Sequence, residues 1–415
     1  MLNIAGNFVS LKTVKLTDNL FFLLVAGAAL LLRLIWPEDM EWKFDEQEML
    51  RLAGEALQNG LPAVGMPSGG GLPNAGFSIW PFALFYSLHP SPLFMAWCVQ
   101  VLNILALALM VFCAGRYAEE NRRILFYGLA SFAVSLMPVL FARKIWAQDL
   151  MPVFIALMWL CYEYRHKWYC LPLMGLSMAF VGQLHLSGFY YGAGLFTAIL
   201  LFKGVSFKRS LLIVSGAAVG LIPAITWIET ALQQGGGISH FFNIVKFEFW
   251  LRCLTDVPGF NAYYSAENDI QNFARFPFNA FVVPIVATVI TLLILFATYS
   301  YLKNNTFKFQ ASNPLHFLLI AFVMIPGLLM TFSGIPIRSH YLIGAYPFLC
   351  MALMNILLKW GVKQSRMLIG LQALFTLLFL LFVHQQQEVK GDYGKTYGRQ
   401  FEEAQKNATP KSDLP

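Results

Sequence analysis

The sequence predicts an all-α polytopic membrane protein of about eleven transmembrane helices, with a short amphipathic helix in the first outer loop. The first ground is composition. The 415 residues are 58% hydrophobic and 12% charged, with a mean hydropathy of +0.59, which is too apolar for soluble domains of ordinary surface. The second is spacing, because apolar runs near the roughly 17–25 residues that cross a bilayer recur along the chain. They fall at 19–36, 92–115, 124–141, 150–163, 168–184, 188–202, 211–228, 278–302, 315–333, 341–358 and 367–384. The third is the alternation of basic residues between connections, which sets orientation.

With the N-terminus in the cytoplasm, the inside connections hold Lys12, Lys15, Arg116, Arg122, Arg123, Arg165, Lys167, Lys203, Lys208, Arg209, Lys303, Lys308, Lys359, Lys363 and Arg366. The short outer loops between spans hold only Arg143, Lys144 and Arg338. The net charge of +7 follows from this topology, and no nucleic-acid partner is implied. Of the six cysteines only Cys253 lies in an outer loop, so no intramolecular disulfide is expected there, and no CxxC or zinc spacing occurs. The N-terminus lacks the short apolar region and cleavage site of a leader, and the first span reads as an uncleaved anchor. The chain is therefore read as one transmembrane domain, 1–384, followed by a short polar outer tail, 385–415, that is only partly ordered.

Two outer segments, 37–91 and 229–277, are too long for simple connections. In the first, Met49, Leu50, Leu52, Ala53, Ala56 and Leu57 make one apolar face of a helix over 45–57. Glu46, Glu48, Arg51 and Glu55 occupy the other face, as in a helix lying along a membrane surface. A stretch with Pro62, Pro67, Pro73 and the run Gly69-Gly70-Gly71 follows, and reads as a shaped loop. The second outer segment opens on Gly235-Gly236-Gly237 before an aromatic stretch. It suits a loop that moves over an interfacial site, or an interfacial anchor.

Ionisable residues at the outer ends of spans are the candidate chemistry, since burying them in apolar surroundings is costly. In "WKFDEQEML", Asp45, Glu46 and Glu48 follow the first span. Asp45 with Glu48 also has the spacing of a helix cap, which would hold a carboxylate rigidly. "FARKIWAQD" sets Arg143 and Lys144 before Asp149, either as an interfacial ion pair or as cations for a lipid phosphate with a second carboxylate opposite Asp45. Paired carboxylates suit glycosyl transfer. "GQLHLSG" and "IRSHYLIGAYP" add His185, Arg338 and His340, with structural roles as the alternatives: a hydrogen-bonded histidine, a snorkelling arginine.

In this order the motifs resemble the GT-C superfamily of polyprenyl-phosphate-sugar-dependent glycosyltransferases, over roughly 20–350. The resemblance is nearest to the bacterial protein O-mannosyltransferase-like branch that includes the lipid A aminoarabinose transferase. It implies Asp45 as general base or acceptor-orienting carboxylate, with Glu46 beside it. It also implies Arg338, Arg143, Lys144 and His340 near the donor phosphate, and Asp149 and His185 as cavity-facing polar residues. Some relatives use a divalent cation (Mg or Mn) and others do not, so one held by Asp45 and Asp149 stays open. The implied partners are a polyprenyl-phosphate-linked sugar donor, an envelope glycan, lipid or protein acceptor, and the membrane. The implied place is a bacterial inner membrane, with the site facing the periplasm. No large soluble domain interrupts the late spans, which counts against a protein acceptor. The rival readings are a lipid-linked sugar transporter or flippase, which would carry midplane charges and repeats, and a non-catalytic membrane assembly protein.

Overall fold

A computed structural model describes residues 16–67, 72–233, 245–260, 262–275, 279–304, 310 and 312–408. The triple glycines 69–71 and 235–237 lie outside these residues. The described chain is helical almost throughout, and its spans follow the apolar runs. Helix α1 (Leu16–Leu34) ends at Trp36-Pro37, α2 (Phe44–Asn59) is the amphipathic helix, and α3 (Trp80–Leu88) is a short apolar helix that the sequence reading left inside a loop. Helix α4 (Pro92–Gly115) is a full span capped by the Ser91 hydroxyl, which accepts from the Phe94 N–H.

The expected span 124–141 is two helices, α5 (Glu119–Val134) and α6 (Leu136–Phe141), separated by an extended Ser135. Pro138 explains the break, because it has no N–H for the Val134 carbonyl and its ring would crowd that oxygen. The Thr376 hydroxyl donates to the Val134 carbonyl instead, at 2.7 Å. The neighbouring Ala133 carbonyl accepts from Arg33 at 2.5 Å. A break inside a membrane fold is tolerated when other groups satisfy the freed backbone in this way.

Helices α7 (Met151–Glu163), α8 (Cys170–Leu184), α9 (Ser187–Lys203) and α10 (Phe207–Leu221) follow, and α10 runs through a turn at Pro223 into α11 (Ile225–Gln233). Small residues let α8 and α10 cross closely: a Cβ at Gly175 would overlap the Ile213 carbonyl, and one at Gly216 the Pro172 carbonyl. The second long segment holds α12 (Glu248–Asp256), α13 (Ala262–Ala266) and α14 (Ile270–Arg275) before the long α15 (Asn279–Asn304). Helices α16 (Pro314–Leu319) and α17 (Ile325–Thr331) form one span through a π turn at 320–324. The chain closes with α18 (Tyr346–Trp360), α19 (Val362–Gln386), a two-stranded hairpin (388–389 with 394–395) and α20 (Tyr397–Ala408).

Among the described residues, five helical stretches are long and apolar enough to cross a membrane: 92–115, 207–230, 281–304, 314–331 and 362–386. Shorter apolar helices, including 170–184 and 346–360, pack beside them. Large apolar side chains face outward along the spans, as Leu23, Leu105, Leu201 and Leu302 do, as expected where lipid rather than water is the surroundings. The chain is thus an all-α multi-pass membrane protein.

Candidate functional site

The outer segments and the tail meet at one end of the bundle. Residues 36–43 cross that end as a short irregular strap. Trp36 stacks on His384 with ring centroids 4.2 Å apart. Asp39 is buried and accepts from His384 Nδ1 and Gln387 Nε2, both at 2.8 Å. Glu41 pairs as an antiparallel bridge with Thr396, and Tyr397 N–H donates to the Met40 carbonyl at 3.0 Å. The tail therefore forms part of the wall of this region.

Glu41, which the sequence reading passed over, is the hub. Its Oε2 lies 2.7 Å from Lys144 Nζ and its Oε1 lies 2.5 Å from Lys43 Nζ. Lys144 also sits over the Trp146 ring at 3.8 Å. Lys43 reaches on to the tail, with its Nζ 2.6 Å from the Asp392 carbonyl. Burial is the largest single influence and works against both ammonium charges, but the surrounding carboxylates, Glu41 first among them, together outweigh it and hold both pKa values above the usual lysine value. Glu41 and Lys43 were findable, because two residues apart in an extended strap they share a face.

The acidic cluster divides. Glu46 is fully buried, against the expectation of a solvated helix face; its Oε2 accepts from the Lys43 N–H at 3.0 Å and its Oε1 has no partner. It is Glu46 that caps α2, not Asp45 or Glu48. Burial, then repulsion from Glu41, pushes its carboxyl well up. Glu48 is taken by Arg51, 2.6 Å away on the outer face of α2. Asp45, in the first turn of α2, is half-buried and accepts no hydrogen bond among the described residues. Its pKa is also raised, by burial first, with Lys43 and Lys144 pulling the other way.

The second constellation is largely committed to the fold. Arg143, expected near a donor phosphate, is buried and donates to four carbonyls at the end of α1: Leu32 (3.0 Å), Arg33 (3.1 Å), Ile35 (2.7 Å) and Trp36 (2.8 Å). Those oxygens have no partner within the helix, and a cation there also meets the negative end of its dipole. Lys144, expected in the same role, is neutralised by Glu41. Asp149 is buried, accepting from the Trp146 N–H at 3.2 Å through Oδ2, with Oδ1 unpaired. Burial raises its pKa well above the usual carboxyl value. Two lysines face four carboxylates here, and burial raises the pKa of the two deepest, Glu46 and Asp149.

His185 and His340 meet edge to face, with centroids 5.2 Å apart. His185 Nδ1 lies 2.8 Å from the Ser187 hydroxyl and accepts from the Ser187 N–H at 3.3 Å. Burial pushes its pKa down to about 4. His340 lies against Trp146, and burial, then the charges of His185 and Lys144, holds its pKa well below the usual value. Expected near the donor phosphate, His340 packs between Trp146 and His185. Arg338 differs: it is exposed beside His340, with no side-chain partner among the described residues. Its loop is held from below, where Arg252 donates to the Ile337 carbonyl at 2.7 Å and Glu248 accepts from the Ile337 N–H at 2.6 Å. The sequence reading missed both struts, because only the fold brings α12 under this loop.

Among the described residues no three His, Cys, Asp or Glu side chains gather as a metal-binding group. Asp149 is enclosed and caps its own turn, whereas Asp45 is half-buried in the first turn of α2.

No known family's sequence profile matches the chain, and no curated protein does. Among solved structures, ArnT from Cupriavidus metallidurans bound to undecaprenyl phosphate superposes with a TM-score of 0.50 at 14% identity, over 88% of this chain and 63% of that one. The apo state of ArnT from the same organism gives 0.42 at 12% identity, over 86% and 78%. The chain thus spans less than two thirds of the length of the lipid-bound ArnT. The first likeness shows a shared fold, the all-α polytopic architecture expected from the sequence.

Proposed function

We propose that the chain is an inverting membrane glycosyltransferase that moves a sugar from a polyprenyl-phosphate donor to a hydroxyl of an envelope glycan, lipid or protein at the outer face. The observation that carries this reading is an ArnT-like fold over 88% of the chain whose charged mouth leaves one carboxylate, Asp45, and one guanidinium, Arg338, unengaged. The solved ArnT binds undecaprenyl phosphate, and a ligand of that chemistry places its tail in the bilayer and its sugar at this mouth.

In the proposed reaction the acceptor oxygen attacks the anomeric carbon, the carbon–oxygen bond to phosphate breaks, and the polyprenyl phosphate leaves with the electron pair. Asp45 takes the acceptor's proton. A raised pKa on a water-facing carboxylate suits that task, since a base works best near the operating pH. Arg338 stabilises the charge that builds on the leaving phosphate. Arg143, Lys144 and Glu46 hold the strap in place and make no contact with substrate in this proposal. No step needs a metal ion.

The test is reconstitution of the purified chain with radiolabelled polyprenyl-phosphate sugars. Wild type should consume one donor and Asp45→Asn none. Failure of wild type to consume any donor offered would favour a lipid-linked sugar transporter.

A further inference from the structure

The opposite face of α1 carries a second feature. A cavity of about 1040 Å³ runs between α1, α4 and α5, with the start of α19 at one end. It follows α1 from Asp18 to Arg33, about 22 Å at the helical rise. Its walls are apolar, and exposed Leu23, Leu30 and Val111 along its edge show that it opens sideways, to the surroundings of the bundle. Small residues, Ala26 and Ala108, leave that opening wide.

One end is basic. Arg122 and Arg123 from the first turn of α5 and Arg366 from the first turns of α19 line it, against Asp18 and Glu119. Asp18 is taken by Arg366, which also donates to the Tyr127 hydroxyl at 3.0 Å. Arg123 lies close to the same hydroxyl. Arg122 is half-buried with no side-chain partner among the described residues. Three guanidiniums therefore face two carboxylates at the mouth of an apolar trough whose length suits an extended hydrocarbon chain.

We infer that this trough binds an anionic glycerophospholipid of the bilayer, with its phosphate at Arg122 and Arg123 and an acyl chain along α1. Charge and shape point the same way. A zwitterionic lipid would gain little from the excess cation, and a soluble anion would not use the apolar length. Basic pockets between membrane helices at a cytoplasmic surface are suited to anionic head groups, and the basic-residue pattern assigns this end to that side. The inference is independent of the proposed transferase activity, since the basic end of the trough, where the phosphate would sit, lies at the far end of α1 from Asp45.

Native mass spectrometry of the full chain in detergent, offered phosphatidylglycerol or phosphatidylcholine of matched acyl chains, tests it. Wild type should retain phosphatidylglycerol about fivefold better for each arginine engaged. Arg122→Ser/Arg123→Ser should fall to the phosphatidylcholine level, and Ala108→Trp should lose the bound lipid with the arginines intact. Both variants should elute as monodisperse protein with wild-type circular dichroism; should the double variant misfold, Ala108→Trp still decides. Equal retention of the two lipids by wild type would overturn the inference. Displacement of phosphatidylglycerol by an equal concentration of polyprenyl phosphate would overturn the choice of a bilayer phospholipid.

Discussion

The inner and outer halves of the charged mouth use the same residue types under opposite conditions. In the inner half Glu41, Lys144, Glu46, Asp149 and Arg143 are buried; Glu41, Lys144 and Arg143 bind distant segments, and Glu46 and Asp149 each cap their own turn. In the outer half Asp45 and Arg338 reach water and bind nothing among the described residues. Glu46 and Asp45 are adjacent in sequence yet fall on different sides of this division, because a helix turns successive side chains about 100° apart. In the proposed reading the inner charges serve the fold, whereas the outer ones meet a ligand. The two sets should fail differently when altered.

The largest effect is expected at Asp45. Asp45→Asn keeps the shape and removes the base, so transfer from the donor should fall by about 10²–10⁴-fold, the usual worth of a general base. Thermal stability should stay within about a degree. If the variant keeps wild-type turnover, the outer half has been misread.

Lys144→Met should act on the fold instead. It leaves Glu41 buried beside Lys43 alone, and breaking a buried pair from one side costs about 3–5 kcal/mol. The expected readout is a much lower melting temperature and poor yield. Glu41→Gln/Lys144→Met should recover part of that loss, because no uncompensated charge remains. A Lys144→Met protein of normal stability with only weakened donor binding would move Lys144 to the outer half.

Arg338→Ala should show the converse pattern at smaller size. Loss of a charge-assisted contact of about 1.5–3 kcal/mol corresponds to roughly a 10–150-fold drop in kcat/KM, with unchanged melting. Arg338→Lys should recover little if the arginine grips phosphate through two N–H groups.

Much of this arrangement was legible in sequence. Apolar runs marked the helices, five of them long and apolar enough to cross a membrane among the described residues, and the helical period of Met49, Ala53 and Ala56 located α2. The break at Ser135 was also available, through Pro138. The partners were not. Which carboxylate of the acidic stretch is buried depends on where Lys144 and the tail arrive, and those contacts join residues more than a hundred positions apart, such as Glu41 with Lys144 and Lys43 with Asp392. Arg143 illustrates the general difficulty. An arginine at a span end reads alike whether it awaits a phosphate or caps a helix, and only the four carbonyls of α1 within its reach decide.

Asp149 gives the subtlest test of the inner half. Its raised pKa means that the folded protein holds a proton which the unfolded chain releases once pH exceeds the ordinary carboxyl value of about 3.9. From there up to the folded pKa, the native state binds more protons than the unfolded state, so stability falls as pH rises. Asp149→Asn removes that dependence while its Oδ1 can still accept from the Trp146 N–H. Relative to wild type, the variant should gain about 1.4 kcal/mol for each pH unit across that window. Melting curves for the two proteins from pH 4 to 8 would show it as a difference that widens and then levels. Parallel curves would mean that Asp149 is ionised against Lys144, and that the inner half carries one more charge than its burial allows.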